Sequence, residues 1–264
     1  MLNEIKFAIY AIKMNIAGSA ELRASFIMNV FGMAINNISF IIIWVAFVKA
    51  VGTIGGWQAI DIVGLQGFTA LGFGIVYSFC GGLRRLPITI ANGSFDRIML
   101  SPKSLLIRTA TSHFFASAVG DILFGIITLT IFAVAIQASI WQILMGIVLV
   151  IISTTIFLSA AIVTNSAGFY FTDATFTSTG FFEIFMTPTL FHGGAFQGVL
   201  RFVFTFAIPS LIAGALPVEI FRSLSLPQLF LILGLASAWL AIAIKVFNIG
   251  VRRYESANFM TFGN

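Results

Sequence analysis

Asp121 stands within a run of apolar residues from Leu106 to Ala135, and His113 and Ser117 precede it by eight and four positions, on one helical face. A carboxylate, an imidazole and a hydroxyl in that register can line a transport path or relay a proton. They can equally clamp neighbouring helices by hydrogen bonds. An acidic side chain deep in a membrane span costs on the order of 2.5–3.5 kcal/mol, so Asp121 must face protein or water. No second carboxylate lies near it in sequence, which favours the clamp. Glu183 and Asp173 flank a later apolar run, either as solvated ends or as walls of an inward-facing vestibule. Ser25, Asn29, Gly32, Asn36 and Ser39 repeat at three- and four-residue spacing, as do Gly67, Gly74, Ser78 and Gly81 approximately. Such stripes let helices approach closely, within the chain or across a dimer, with substrate contact as the other reading.

Enzymatic chemistry has no visible site. There is no GxxxxGK[ST] phosphate loop, no HExxH and no Ser/His/Asp elbow, and only two histidines are present. Cys80 is the single cysteine, which excludes an intrachain disulfide or a Cys-based metal site. No metal or cofactor is expected in this chain.

These residues must be positioned by membrane helices. Of 264 residues, 59% are hydrophobic and 9% charged, far from the roughly quarter-charged composition of soluble domains. Ala24–Val48 and Ser223–Ile244 each exceed twenty residues without a charge, enough to cover the ~30 Å core of a bilayer. Spans are expected near Ala24–Val48, Ile62–Leu83, Leu106–Ala135, Gln142–Thr164 and Leu226–Ile249. A net charge of +5 would suggest nucleic acid in a soluble protein, but here Lys and Arg gather at the ends of apolar runs. They report topology and contact with lipid headgroups, and no nucleic-acid partner is expected. Lys6, Lys13 and Arg23 precede the first span, Arg84, Arg85, Arg97, Lys103 and Arg108 follow the second, and Arg252 and Arg253 follow the last. Both termini and the central loop are therefore expected in the cytoplasm.

Between Asp173 and Leu216 two apolar pieces, Ala174–Phe191 and Val199–Leu216, flank His192, Gly193 and Gly194. An odd number of crossings would put Arg252 and Arg253 outside, so only one piece can cross. Pro209 interrupts the second. The sequence predicts an all-α membrane protein with six transmembrane helices and a re-entrant extracellular segment, 193–217, before the last. Residues 1–23 should form an N-terminal amphipathic interfacial helix, since Leu2, Ile5, Ile9, Ile12 and Ile16 share a stripe that Asn3, Lys6, Tyr10 and Lys13 avoid. It lies on the membrane surface or on the chain's own cytoplasmic loops. Lys6 and Lys13 argue against a cleaved signal peptide. The whole chain, 1–264, reads as one transmembrane domain, with no room for a separate nucleotide-binding domain.

This order of elements resembles a type-2 ABC exporter permease. The words that carry the resemblance are GSFDRIMLSP (Gly93–Pro102), FAIPSLIAGALP (Phe206–Pro217) and GGW (Gly55–Trp57). The resemblance covers essentially the whole chain. It implies a multi-pass subunit of a bacterial cell membrane that dimerises with itself or a sister permease and binds separate ABC ATPase subunits, where ATP and Mg would reside. The cytoplasmic loop 84–105 would contain the coupling helix, with Phe95, Asp96, Arg97, Ile98 and Met99 as its docking residues; the other reading is an ordinary cytoplasmic loop folded against its own spans. Asn92 and Gly93 suit a turn, Ser94 a cap, Asp96 a helix start and Pro102 a stop, while Phe95, Ile98 and Met99 form an apolar face able to fill a partner's groove.

The expected function is thus the permease subunit of an ATP-driven exporter, itself no enzyme, whose path forms at a dimer interface. Asn29, Asn36, His113, Asp121 and Glu183 are its candidate pathway or interhelical polar residues. An ion-coupled carrier using Asp121 and Glu183 is the alternative, and a membrane assembly subunit without transport is a third class. The substrate is not legible: thirty phenylalanines suit an amphipathic cargo, but also simply face lipid.

Overall fold

The computed structural model describes residues 2–52, 55–100, 102–171 and 174–254, and every secondary-structure element among them is helical. In chain order these are α1 (Leu2–Glu21), α2 (Arg23–Val51), α3 (Ala59–Phe79), α4 (Leu86–Ala91), α5 (Phe95–Met99), α6 (Leu105–Ala110), α7 (Ser117–Ala135), α8 (Ile140–Asn165), α9 (Ala174–Thr189), α10 (Gly198–Phe202), α11 (Ser210–Ala213), α12 (Ala215–Ser223) and α13 (Leu226–Arg253). Tight 3₁₀ turns at Gly81–Arg85, Ser166–Phe169 and Gly193–Ala195, and a π turn at Val203–Ala207, connect several of them.

Helices α2, α3, α7, α8 and α13 are long and apolar enough to cross a membrane. Their bounds agree within about a turn with four of the expected runs and with the second half of a fifth. Local chemistry fixes two of the starts. Gln58 N donates to the Asp61 carboxylate at 2.8 Å ahead of α3, and Ser139 N and Oγ both donate to Gln142 Oε1 ahead of α8.

The expected run Leu106–Ala135 is not one helix. Thr111 Oγ1 donates to Ile107 O and Ser112 Oγ to Thr109 O, each at 2.8 Å, which satisfies the end of α6 locally. The chain then turns over Gly82, where any Cβ would collide with the Thr109 carbonyl. His113 therefore lies outside α7, and the helical face it was expected to share with Ser117 and Asp121 does not exist.

The small-residue stripe of α3 packs inside the chain. A Cβ on Gly74 would meet Ile122 N at 2.8 Å, and one on Gly125 would meet Leu71 N at 2.7 Å, so α3 and α7 touch backbone to backbone. The α2 stripe does the opposite. Ser25, Asn29, Gly32, Asn36 and Ser39 are all exposed on the outer surface of the bundle.

Contacts distant in sequence gather the basic residues at one end of the bundle. Asn15 Nδ2 donates to Thr111 O at 2.8 Å, Ser104 N to Glu4 Oε2 at 3.3 Å, and Tyr254 Oη to Asp96 Oδ1 at 2.9 Å. α1 thus lies on its own loop through Glu4 and Asn15, while Ile5 and Ile9 of its apolar stripe stay exposed. The far end holds Trp57, Asp61, Gln142, Arg201, Glu219 and Arg222. There Arg222 pairs with Asp61 and Arg201 with Glu219, each at 2.6 Å.

α9, at sixteen residues, is shorter than the five long helices, and Asp173 before it lies outside the described residues. Beyond α9, Phe191 packs edge-on against Trp44, and the His192 ring lies 6.1 Å from that of Trp57. α10 to α12 form a broken hairpin. Its two arms meet at Arg201 and Glu219, while toward its bend Phe206 O accepts from Trp239 Nε1 at 3.2 Å and Ala213 O from Ser153 Oγ at 2.6 Å. Trp239 and Ser153 sit mid-way along α13 and α8. Pro209, unable to donate, stands between the π turn and α11.

Candidate functional site

A cavity of about 580 Å³ opens at the basic end, where the turn Gly81–Arg85, the segment 111–116 and α9 converge. Arg84 and Arg85 enter it from the turn after α3. The Arg84 guanidinium lies 6.0 Å from the Tyr77 ring centroid and 5.7 Å from that of Phe115. Arg85 Nη1 lies 3.4 Å from His113 Nδ1, and the His113 ring meets Phe115 edge-on at 4.7 Å. Burial, then the Arg85 charge, hold the His113 imidazole below its ordinary range, so at neutral pH the uncharged ring accepts from Arg85.

The opposite wall comes from α9, which places Glu183, Phe182, Met186 and Ser178 on the cavity. Glu183 is exposed, whereas Ser178 is buried and its Oγ has no hydrogen-bond partner among the described residues. Phe73, Tyr77 and Phe182 form one aromatic wall, with Phe73–Tyr77 centroids 4.4 Å apart and Tyr77–Phe182 5.9 Å apart. Among the described residues, neither arginine nor Glu183 forms an ion pair.

Asp121 lies elsewhere. It is buried on α7, and its Oδ1 accepts from Asn37 Nδ2 on α2 at 2.6 Å. The clamp partner is Asn37, not Asn36. Asn36 is exposed, and so is Asn29, whose amide donates to Ser25 O at 2.7 Å within its own helix. Of the five polar candidates, the structure brings only His113 and Glu183 into one cavity.

The loop carrying α5 corrects another expectation. Phe95 is completely buried, with its ring edge-on to Phe169 at 5.4 Å and to Tyr254 at 5.1 Å. It anchors the loop to the ends of α8 and α13 and cannot fill a partner's groove. Asp96 faces the same way, toward Tyr254. Ile98 is half-buried, and Arg97, Met99 and Leu100 are exposed, Leu100 at 84%. An outward apolar edge thus exists, but it consists of Met99 and Leu100.

The contacts of Asn37 and Tyr254, the place of Arg84 and Arg85 on the cavity and the exposure of Leu100 were not legible in the sequence. The paired arginines carried a topological signal that hid their place in a cavity. Asn36 and Asn37 differ by one position, and only the rotation of α2 against α7 separates them.

A family model described as ABC-2 family transporter protein matches residues 33–258. Comparison with curated proteins and with solved structures gives no match. The matched region takes in all five long helices except the start of α2, together with the cavity, the α5 loop and the broken hairpin, and the chain belongs to the ABC-2 transporter family as a membrane component.

Proposed function

We propose that the chain is the permease subunit of an ATP-driven exporter. ATPase subunits dock on the Met99–Leu100 edge, and their closure on ATP and Mg moves the basic end, switching access to a path that includes the cavity. The observation that carries this reading is the mounting of the α5 loop. Met99 and Leu100 face outward while Phe95 and Asp96, on the same short helix, grip Phe169 and Tyr254. A push on the exposed edge would be delivered to the ends of α8 and α13 without a flexible joint.

The same reading makes α9 with residues 190–192 the fifth of six crossings and the hairpin 198–223 a re-entrant element entering from outside. It puts both termini and the basic end in the cytoplasm. The far-end pairs Arg201–Glu219 and Arg222–Asp61 suit this orientation, because each neutralises a cation that would otherwise oppose the positive-inside bias. A second permease subunit is proposed to cover the exposed stripe of α2, since Asn29, Asn36 and Ser39 would otherwise set polar groups against lipid. The ion-coupled alternative has less support, because Asp121 is engaged by Asn37 and does not share the cavity that Glu183 lines.

The test is recovery of an ATPase with the tagged chain in mild detergent. Met99→Glu with Leu100→Glu should lower recovery more than tenfold at unchanged melting temperature, since a buried apolar anchor accounts for ~2 kcal/mol or more of an interface. Equal recovery would remove this loop as the docking element.

A further inference from the structure

We infer that the basic-end cavity takes an amphipathic monoanion, its acidic headgroup held by Arg84 and Arg85 and its apolar body laid along Phe73, Phe182 and Met186. This rests on the cavity being part of the transport path.

The charges are the first ground. At the far end each arginine is used up by a carboxylate at 2.6 Å. In the cavity two arginines face one glutamate with no ion pair among them, a balance of +1 that one acidic group would neutralise. The Arg84 guanidinium stands over the neighbouring Tyr77 and Phe115 rings, whose centroids are 6.4 Å apart, so the rings hold it from one side and its N–H groups on the other side remain able to meet an anion. Arg85, braced by neutral His113, stands beside it in sequence.

The second ground is Ser178. A buried hydroxyl without a partner is uncommon, and this one lies on the cavity wall, where a headgroup oxygen would complete it. The third is the aromatic wall of Phe73, Tyr77 and Phe182, which has no use for a small inorganic anion but suits an acyl or aryl body. About 580 Å³ falls in the range of pockets for organic ligands.

The test uses the full chain in detergent, carrying Thr179→Cys in a Cys80→Ala background and labelled with a maleimide. The probes are dansylaminoundecanoic acid, the same body ending in trimethylammonium, and inorganic phosphate. The carboxylate should protect Thr179→Cys at concentrations at least tenfold lower than the cation does, phosphate alone should not protect, and Arg84→Gln with Arg85→Gln should abolish the difference. Equal or better protection by the cation would overturn the charge class while leaving the path reading intact. Protection by phosphate as good as by the carboxylate would overturn the amphipathic part. No protection by any probe would remove the cavity as a binding site and the path reading with it. The comparison of the two charged probes on the Thr179→Cys chain with both arginines intact decides the matter even if the double arginine variant fails to fold.

Discussion

Tyr254 Oη donates to Asp96 Oδ1 at 2.9 Å, joining the end of the last helix to the short helix of the basic loop across 158 positions of sequence. Between them lies the Phe95 ring, edge-on to both Tyr254 and Phe169. Phe169 in turn meets Phe247 of α13 at 5.7 Å. The loop that the sequence marks as a partner-facing element is therefore built first on this chain's own core.

Two substitutions separate the bond from the packing. Tyr254→Phe removes the hydroxyl and keeps the ring, so it should cost ~1.5–3 kcal/mol for a bond to a carboxylate. Phe95→Ala empties a fully buried aromatic site and should cost ~3–5 kcal/mol. Thermal unfolding in detergent should show the second melting well below the first; equal melting would mean that Phe95 is not the anchor.

Asp121 and Asn37 should behave as a coupled pair. Asp121→Asn keeps a polar group opposite Asn37, whereas Asp121→Leu leaves the Asn37 amide without that partner, at a cost of ~1–3 kcal/mol. The double variant Asn37→Leu/Asp121→Leu should be less destabilised than the sum of its parts. A stable Asp121→Asn protein with transport abolished would instead give Asp121 a role in protonation or substrate contact.

Sidedness can be read with cysteines in a Cys80→Ala background. Gln197→Cys and Ser223→Cys, both exposed at the two ends of the broken hairpin, should react with an impermeant maleimide from outside. Asn92→Cys, exposed before α5, should react only from inside. Labelling of Gln197 and Ser223 from opposite sides would mean that the hairpin crosses fully.

The His113 imidazole is lowered by burial and by Arg85 in the folded chain, while the unfolded chain titrates near 6.5. Below about pH 6.5 the unfolded state binds the proton that the folded site resists. This contribution to stability is complete above that pH and is lost as pH falls toward the folded value. His113→Gln should therefore lose less melting temperature than wild type between pH 7.5 and 5.5. An identical loss would place His113 in an ordinary solvated setting.

Much of the fold was written locally in the chain. The five long helices follow from uninterrupted apolar runs, because a span needs only length and the absence of charge, which are properties of a segment by itself. The gathering of Arg84, Arg97, Arg252 and Arg253 at one end was likewise legible, since it depends on which end of each run a cation occupies.

The positions of the facing side chains were decided only by tertiary structure. A helix surrounded by lipid is apolar on every side, so periodicity does not say which face meets protein. That is why Asn37 rather than Asn36 meets Asp121, and why the stripe of α3 is packed while that of α2 is bare. The break after Thr111, where Ser112 Oγ closes on Thr109 O and the chain approaches Gly82, moved His113 off the Asp121 helix and beside Arg85. Close approach of helices distant in sequence turned Phe95 inward, left Leu100 outside, and made one cavity of Arg84, Arg85, Ser178 and Glu183.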